Sequence, residues 1–177
     1  LAVEGLEGTR RYLYFEGVST VCDVFVNYEY VGQHKGGYTA FCFEVTDFLK
    51  EGENLVELWV ANDYRSDVLP LTGDFNIYGG VHRPCHLITT PEACITPDHY
   101  ASPGVFVVQK GVSAETAELR VRTLVSASDY ASLEVEVSII APDGTLVARE
   151  RTAAAECTEI PVTLSRPQLW NGKRSEE

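Results

Sequence analysis

The sequence predicts an all-β protein made of two β-sandwiches in series. Three observations carry this. Apolar and polar residues alternate with period two in run after run. The runs are short, β-branched or aromatic, and bounded by glycine, proline, asparagine and aspartate. No window of about 12 residues or more carries a 3.6-residue period.

The first strand is read at 11–15, with Arg11, Leu13 and Phe15 on one face and Tyr12 and Tyr14 on the other. At 21–27 the pattern repeats, Cys22, Val24 and Val26 opposing Asp23, Phe25 and Asn27. Asn27-Tyr28-Glu29 reads as a turn into Tyr30-Val31. Phe41, Phe43 and Val45 form a further inward face. After Thr46-Asp47, the stretch Phe48-Leu49-Lys50 reads as one helical turn, started by a capping side chain and ended at Gly52. Alternation returns at 55–61, with Val56, Leu58 and Val60 opposing Glu57.

The stretch 62–80 breaks the pattern with Asp63, Asp67, Pro70, Gly73, Asp74, Asn76, Gly79 and Gly80. It is too long for a hairpin turn, and loops of this length are usually functional. Strand character resumes at 81–90, and Thr90-Pro91-Glu92 marks a junction. The chain therefore reads as domains 1–92 and 93–177. In the second, strands are expected at 105–109, 117–126, 133–140, 145–149 and 159–164, with an Asp143-Gly144 hairpin. Leu133, Val135, Val137 and Ile139 oppose Glu134, Glu136 and Ser138. Five strands suit an immunoglobulin-like sandwich, which normally has about seven, so this copy reads as lacking its last strands.

Composition bounds function. In 177 residues, 26 acidic against 14 basic side chains give a formal net charge of -12, a field that repels phosphate backbones and argues against nucleic acid. No apolar run reaches the roughly 20 residues of a membrane span. The N-terminus has neither a basic nor an apolar signal-peptide region. Methionine is absent, which reads as a segment of a longer polypeptide. The five cysteines, Cys22, Cys42, Cys85, Cys94 and Cys157, form no C-x-x-C pair and are expected to be reduced core residues, although one disulfide is open to them in an oxidising compartment. His82 and His86, four apart on a strand, would sit about 13 Å from each other, too far to chelate. His34 and His99 read as exposed loop residues. Nucleophile-elbow and phosphate-loop motifs are absent. Most of the tyrosines and tryptophans alternate into strand cores, so a dedicated carbohydrate platform is the minority reading.

Two stretches go beyond fold class. One runs Phe15-Glu16-Gly17-Val18, Val26-Asn27, Val31-Gly32-Gln33-His34-Lys35-Gly36-Gly37-Tyr38-Thr39-Ala40-Phe41, Val45-Thr46-Asp47 and Gly52-Glu53-Asn54. The other is Leu71-Thr72-Gly73-Asp74-Phe75-Asn76-Ile77-Tyr78-Gly79-Gly80-Val81-His82-Arg83-Pro84. In order and spacing they resemble the N-terminal jelly-roll, or sugar-binding, domain of glycoside hydrolase family 2, which includes β-galactosidases, β-glucuronidases and β-mannosidases. The segment from Pro97 to Gly172, with Pro167-Gln168-Leu169-Trp170-Asn171-Gly172, resembles the immunoglobulin-like second domain. The family usually has glycine where Tyr28 stands and aspartate where Pro84 stands.

The resemblance implies a jelly roll that lacks its first strands, Asn27, Gly36, Gly37, Tyr38, Tyr78, Gly79, Gly80 and Arg83 being its structural motif. Glycine at 32, 36 and 37 permits close approach, Tyr38 and Phe41 would anchor the returning strand in the core, and Arg83 would pair with a carboxylate or with backbone carbonyls. The resemblance also implies a retaining glycosidase, which needs two carboxyl groups about 5–5.5 Å apart on a barrel of roughly 250 residues. In the family the acid/base glutamate follows an asparagine, and no Asn-Glu dipeptide occurs here. No catalytic residue and no cofactor is therefore assigned to this chain, and it is expected to be inactive alone. Asp74 matches an aspartate that, in the β-galactosidases, reaches the 6-position of the sugar and ligates sodium; its rival role is to hold a turn or Arg83. In the full-length enzyme the implied partners are the barrel, a β-galactoside, sodium or magnesium and further copies of the chain. Rival readings are a free-standing carbohydrate-binding module, the same region of a β-glucuronidase or β-mannosidase, and a structural sandwich such as an adhesin.

Overall fold

The structure, a computed structural model, describes residues 1–69, 73 and 76–170. It divides into two compact units. The first holds Leu1–Ala93 and Pro97–Ser102, the second Cys94–Thr96 and Pro103–Glu177.

The first unit contains β1 (Ala2–Val3), β2 (Thr9–Phe15), β3 (Val18–Ser19), β4 (Val21–Val26), β5 (Glu29–Lys35), β6 (Phe41–Glu44), β7 (Gly52–Glu53), β8 (Val56–Ala61), β9 (Gly80–Val81) and β10 (Cys85–Pro91). One antiparallel sheet runs β10-β2-β6 and another β5-β4-β8, while β1 pairs β7 and β3 pairs β9. Leu13, Phe15 and Phe41 from the first sheet meet Cys22, Val24 and Val26 from the second in one core. The alternation of β4 is the reason: those three side chains are fully buried, and Asp23 and Phe25 point the other way.

Strand β2 departs from simple alternation. Tyr12 is fully buried and Arg11 is 4% exposed, although they sit on opposite faces. A strand flanked by β10 and β6 and covered on both sides buries both sets of side chains. The Arg11 guanidinium is satisfied by the carbonyls of Glu4 (3.0 Å) and Gly5 (2.8 Å) and by Thr9 Oγ1.

Three local expectations are corrected. The helical turn is a 3₁₀ turn at Thr46–Phe48, two residues earlier than read, and no side chain caps it. Thr46 Oγ1 instead donates to Glu44 Oε1 at 2.9 Å and accepts the Arg11 N–H at 3.0 Å, tying the turn to β2. Tyr38 is half exposed rather than in the core, because Gly36 (φ +133°) redirects the chain and leaves Phe41 alone as the anchor. His34 lies in β5, not in a loop, and stacks on Phe41 at 4.2 Å. Burial there lowers its pKa, opposed by the Gly36 carbonyl 3.0 Å from Nε2.

The second unit carries β11 (Cys94–Ile95), β12 (Val105–Val112), β13 (Thr116–Ser126), β14 (Glu134–Ile140), β15 (Leu146–Ala153) and β16 (Cys157–Ser165). Strand β13 pairs β11, β12 and β16, and β14-β15 is a separate hairpin. The five strands read from sequence are present, and β11 is a sixth, too short to show alternation. Val121, Ile160 and Val162 form the core, with Val135, Val137 and Ile139 packed on it. At the hairpin tip, Gly144 takes φ +86° and Asp143 Oδ1 accepts the Thr145 N–H at 2.9 Å.

None of the five cysteines forms a disulfide. Cys22 and Cys42 are buried, but Cys85 and Cys157 are exposed rather than core residues. Each of the latter opens its strand, β10 or β16, at the edge of the packed region.

Candidate functional site

The motif residues converge around the ends of the 62–80 loop. The outgoing end leaves β8 at Ala61, whose carbonyl accepts the Thr20 N–H (2.9 Å) and hydroxyl (3.0 Å). Lys35 and Arg65 then grip Asp67, at 2.5 and 3.1 Å. These two hydrogen-bonded cations hold the Asp67 carboxyl well below the usual range. Val68, 8% exposed, plugs this end.

The returning end is held by Asn62. Its Nδ2 donates to the Ile77 carbonyl at 2.9 Å, and a Cβ on Gly79 would lie 2.9 Å from its Cγ. Gly79 is therefore needed for close approach, whereas Gly80 is needed for conformation, at φ +114°. Gly80 and Val81 pair with Ser19 and Val18 and return the loop to the sheet.

Beneath it, Arg83 Nη1 donates to the Tyr38 carbonyl at 2.8 Å and lies 3.4 Å from that of Glu16. Among the described residues, the Arg83 partners are these backbone carbonyls. Sequence reading missed Gly17 in this role: a Cβ there would meet Arg83 Cδ at 2.9 Å and His82 Nε2 at 3.0 Å. The only signal was a glycine two residues beyond Phe15. His82 packs edge-on to Tyr38 at 5.8 Å, and His86 Nε2 sits 2.9 Å from Glu16 Oε1, so the two histidines have separate partners. Tyr78 is 78% exposed at the rim.

Asn27 belongs to a different cluster. It and Tyr28 take φ of +50° and +70° in the β4–β5 turn, and its side chain bonds to Asn54. Asp74, the expected sugar and sodium contact, lies outside the described residues. Among the described residues no group of three or more His, Cys, Asp or Glu could hold a metal ion. Among the described residues, Asp67, Glu136 and Asp143 have carboxyls shifted downward by hydrogen bonds and neighbouring cations or backbone N–H groups. A general acid for glycoside cleavage needs the opposite shift. What the described cluster does is fix the two ends of a loop.

The first unit, a β-sandwich whose long loop is pinned by an asparagine–glycine contact, falls in the glycoside-hydrolase class by its match to a family model. Residues 2–91 match the family model for glycosyl hydrolases family 2, sugar binding domain, and the chain belongs to that family. It is 40% identical over 174 residues to a β-glucuronidase of Bacteroides fragilis, covering 94% of this chain and 25% of the relative. It is 31% identical to a β-galactosidase of Thermoanaerobacter pseudethanolicus, covering 95% and 23%. Among solved structures, β-glucuronidase 2 of Bacteroides uniformis, covalently bound to cyclophellitol-6-carboxylate aziridine, superposes with a TM-score of 0.79 at 30% identity, covering 96% of this chain and 22% of that one. The chain thus spans about a quarter of the length of these relatives.

Proposed function

We propose that this chain is the non-catalytic N-terminal part of a retaining glycoside hydrolase that removes terminal β-galactosides, and that it shapes the active site from outside the barrel. The family match over residues 2–91 carries the reading. The anchored loop supports it: Lys35 holds the outgoing end through Asp67, and Asn62 and the Gly80–Val81 pairing hold the returning end, as a loop that must present one side chain across a domain boundary requires. In this reading Asp74 contributes to the sugar pocket, with a sodium or magnesium ion supplied in the full-length enzyme. The partners are the barrel of the same polypeptide and further copies of the chain. The net charge of -12 argues against nucleic acid. No helix among the described residues is long and apolar enough to cross a membrane.

A second reading, cleavage of β-glucuronides, is favoured by the 40% identity to the B. fragilis enzyme. The two sugars differ at C6, which is a hydroxymethyl in one and a carboxylate in the other. A carboxylate at Asp74 accepts a hydrogen bond from the first and repels the second.

The test is the full-length polypeptide with aryl β-galactoside and aryl β-glucuronide. Under the galactoside reading, Asp74→Asn lowers kcat/KM for the galactoside by roughly 10- to 150-fold, corresponding to one charge-assisted hydrogen bond. Under the glucuronide reading, the variant keeps or gains activity on the glucuronide. Unchanged kinetics on both sugars, with a lowered melting temperature, overturns the pocket role. The 177-residue chain alone is expected to hydrolyse neither.

A further inference from the structure

The sheet β5-β4-β8 carries a row of aromatic rings on its outer face. On β4, Cys22, Val24 and Val26 point into the core, so pleating turns Asp23 and Phe25 outward. On β8, Val56, Leu58 and Val60 pack inward, leaving Glu57 and Trp59 outside. An irregularity between Val24 and Phe25 pairs Phe25 with Tyr30, so Tyr30 stays outside while Val31 packs on the core. The Phe25 ring consequently lies 4.7 Å from Trp59 and 5.4 Å from Tyr30. Trp59 is 64% exposed and Tyr30 54%. Adjacent strands are about 4.8 Å apart, so the three rings cover roughly 10 Å across the sheet.

The groups between the rings are polar and mostly acidic. Asp23 registers with Trp59 and with Gln33, whose Nε2 donates to Asp23 Oδ1 at 2.8 Å. Glu57 registers with Phe25. Among the described residues its carboxylate makes no side-chain hydrogen bond or ion pair.

We propose that this face is a binding platform for a neutral, β-linked oligosaccharide, with Trp59 as its centre. A pyranose ring offers an apolar C–H face bounded by hydroxyls. The exposed rings of Trp59 and Tyr30, with Phe25 between them, desolvate the first, and the acceptor oxygens of Asp23 and Glu57 take hydrogen bonds from the second. The same carboxylates repel uronates. They also oppose a two-fold contact between copies, which would bring Asp23 and Glu57 of one protomer onto those of the other. The ring planes are tilted by 41° and 64°, which fits a twisted soluble chain better than a flat crystalline surface. The rings are not loop-cluster residues, although Arg65 lies within electrostatic reach of Asp23, and the platform stands or falls independently of the proposed reaction.

Trp59 and Trp170 are the two tryptophans of these 177 residues, so in the 177-residue chain Trp170→Phe leaves Trp59 as the indole reporter. This variant is titrated with β-1,4-linked galactotetraose and mannotetraose and with tetragalacturonate. The expected result is a saturable change in Trp59 emission with at least one neutral sugar and binding at least about tenfold weaker for the uronate. Trp59→Ala and Tyr30→Ala, with unchanged circular dichroism, are each expected to weaken the neutral sugar, Trp59→Ala by about tenfold or more. Tyr30→Ala reads out the face even if Trp59→Ala fails to fold. Three results overturn the proposal: no saturable response to either neutral sugar, binding insensitive to both variants, or a dimer in sedimentation that Trp59→Ala dissolves, which would make the face a self-interface.

Discussion

Asn27 and Asn54, twenty-seven positions apart, share a side-chain hydrogen bond of 2.8 Å from Nδ2 of the first to Oδ1 of the second. Around it, Asn27 also donates to the Phe48 carbonyl at 2.9 Å and accepts the Leu55 N–H at 3.1 Å. Asn54, 5% exposed, accepts the Lys50 N–H and donates to the Lys50 and Gly52 carbonyls. The pair thus ties the β4–β5 turn to the segment that follows the 3₁₀ turn. Replacing Asn54 by alanine strips partners from Asn27 and from three backbone groups. A loss of about 2–4 kcal/mol is expected, read as a lowered denaturant midpoint with an unchanged slope.

Tyr28 stands next to this network with φ +70° and is 80% exposed. A left-handed conformation costs an L-residue about 1–2 kcal/mol, and glycine avoids that cost while raising the entropy of the unfolded chain. Tyr28→Gly is therefore expected to stabilise by about 0.5–1 kcal/mol. A lower melting temperature for this variant would show that the ring makes contacts that outweigh the backbone strain.

How far the sequence could be read follows from these positions. Strand β4 was legible because one of its faces meets the core and the other does not, so burial copies the alternation. Strand β2 was legible as a strand at 11–15, but its burial was not: Arg11 and Tyr12 are both buried, and alternation does not reveal that both faces are covered. The motif glycines announced close approach without naming the partner. Asn62 behind Gly79 and Arg83 behind Gly17 are tertiary contacts between segments far apart in the chain. Aromatic residues misled at Tyr38 and Trp59, whose exposure depends on a turn at Gly36 and on which sheet face remains uncovered. The pairing of Asn27 with Asn54 needed the fold, though both residues were visible in the motif.

Gly32 tests close packing inside the first unit. A Cβ at this position would sit 2.8 Å from Phe43 Cε1 and 3.0 Å from Cζ. The Phe43 ring is itself set edge-on to Phe41 at 5.6 Å and cannot turn away freely. Gly32→Ala is expected to cost about 1–3 kcal/mol through overpacking. Phe43→Leu in the same molecule should recover part of the loss, and strict additivity of the two substitutions in a double-mutant cycle would rule out the contact as the cause.

The buried thiols make stability fall in alkaline solution. Burial, with Asp23 and Cys85 adding to it, pushes the Cys22 thiol up to about 11. Burial, with Asp98 adding, pushes Cys42 up to about 12. In the unfolded chain both would ionise near 9.0. Above that pH the unfolded state releases protons that the folded state retains, so it binds fewer protons and stability falls as pH rises. The contribution is fully present below about 9 and is lost progressively up to about 11 for Cys22 and 12 for Cys42. Each thiol steepens the decline by up to roughly 1.4 kcal/mol per pH unit. Denaturant melts between pH 8 and about 10.5 should therefore show a shallower decline for the Cys22→Ala, Cys42→Ala double variant than for the parent, whatever the variant's lower starting stability. Native thiol titration provides the matching kinetic readout. Cys85 and Cys157 are exposed and should react before unfolding, Cys85 slowly because partial burial and Glu16 raise its pKa. Cys22 and Cys42 should react only after denaturant is added. Rapid modification of all five cysteines in the folded protein, or identical pH slopes for parent and double variant, would show that the two thiols are not buried as described.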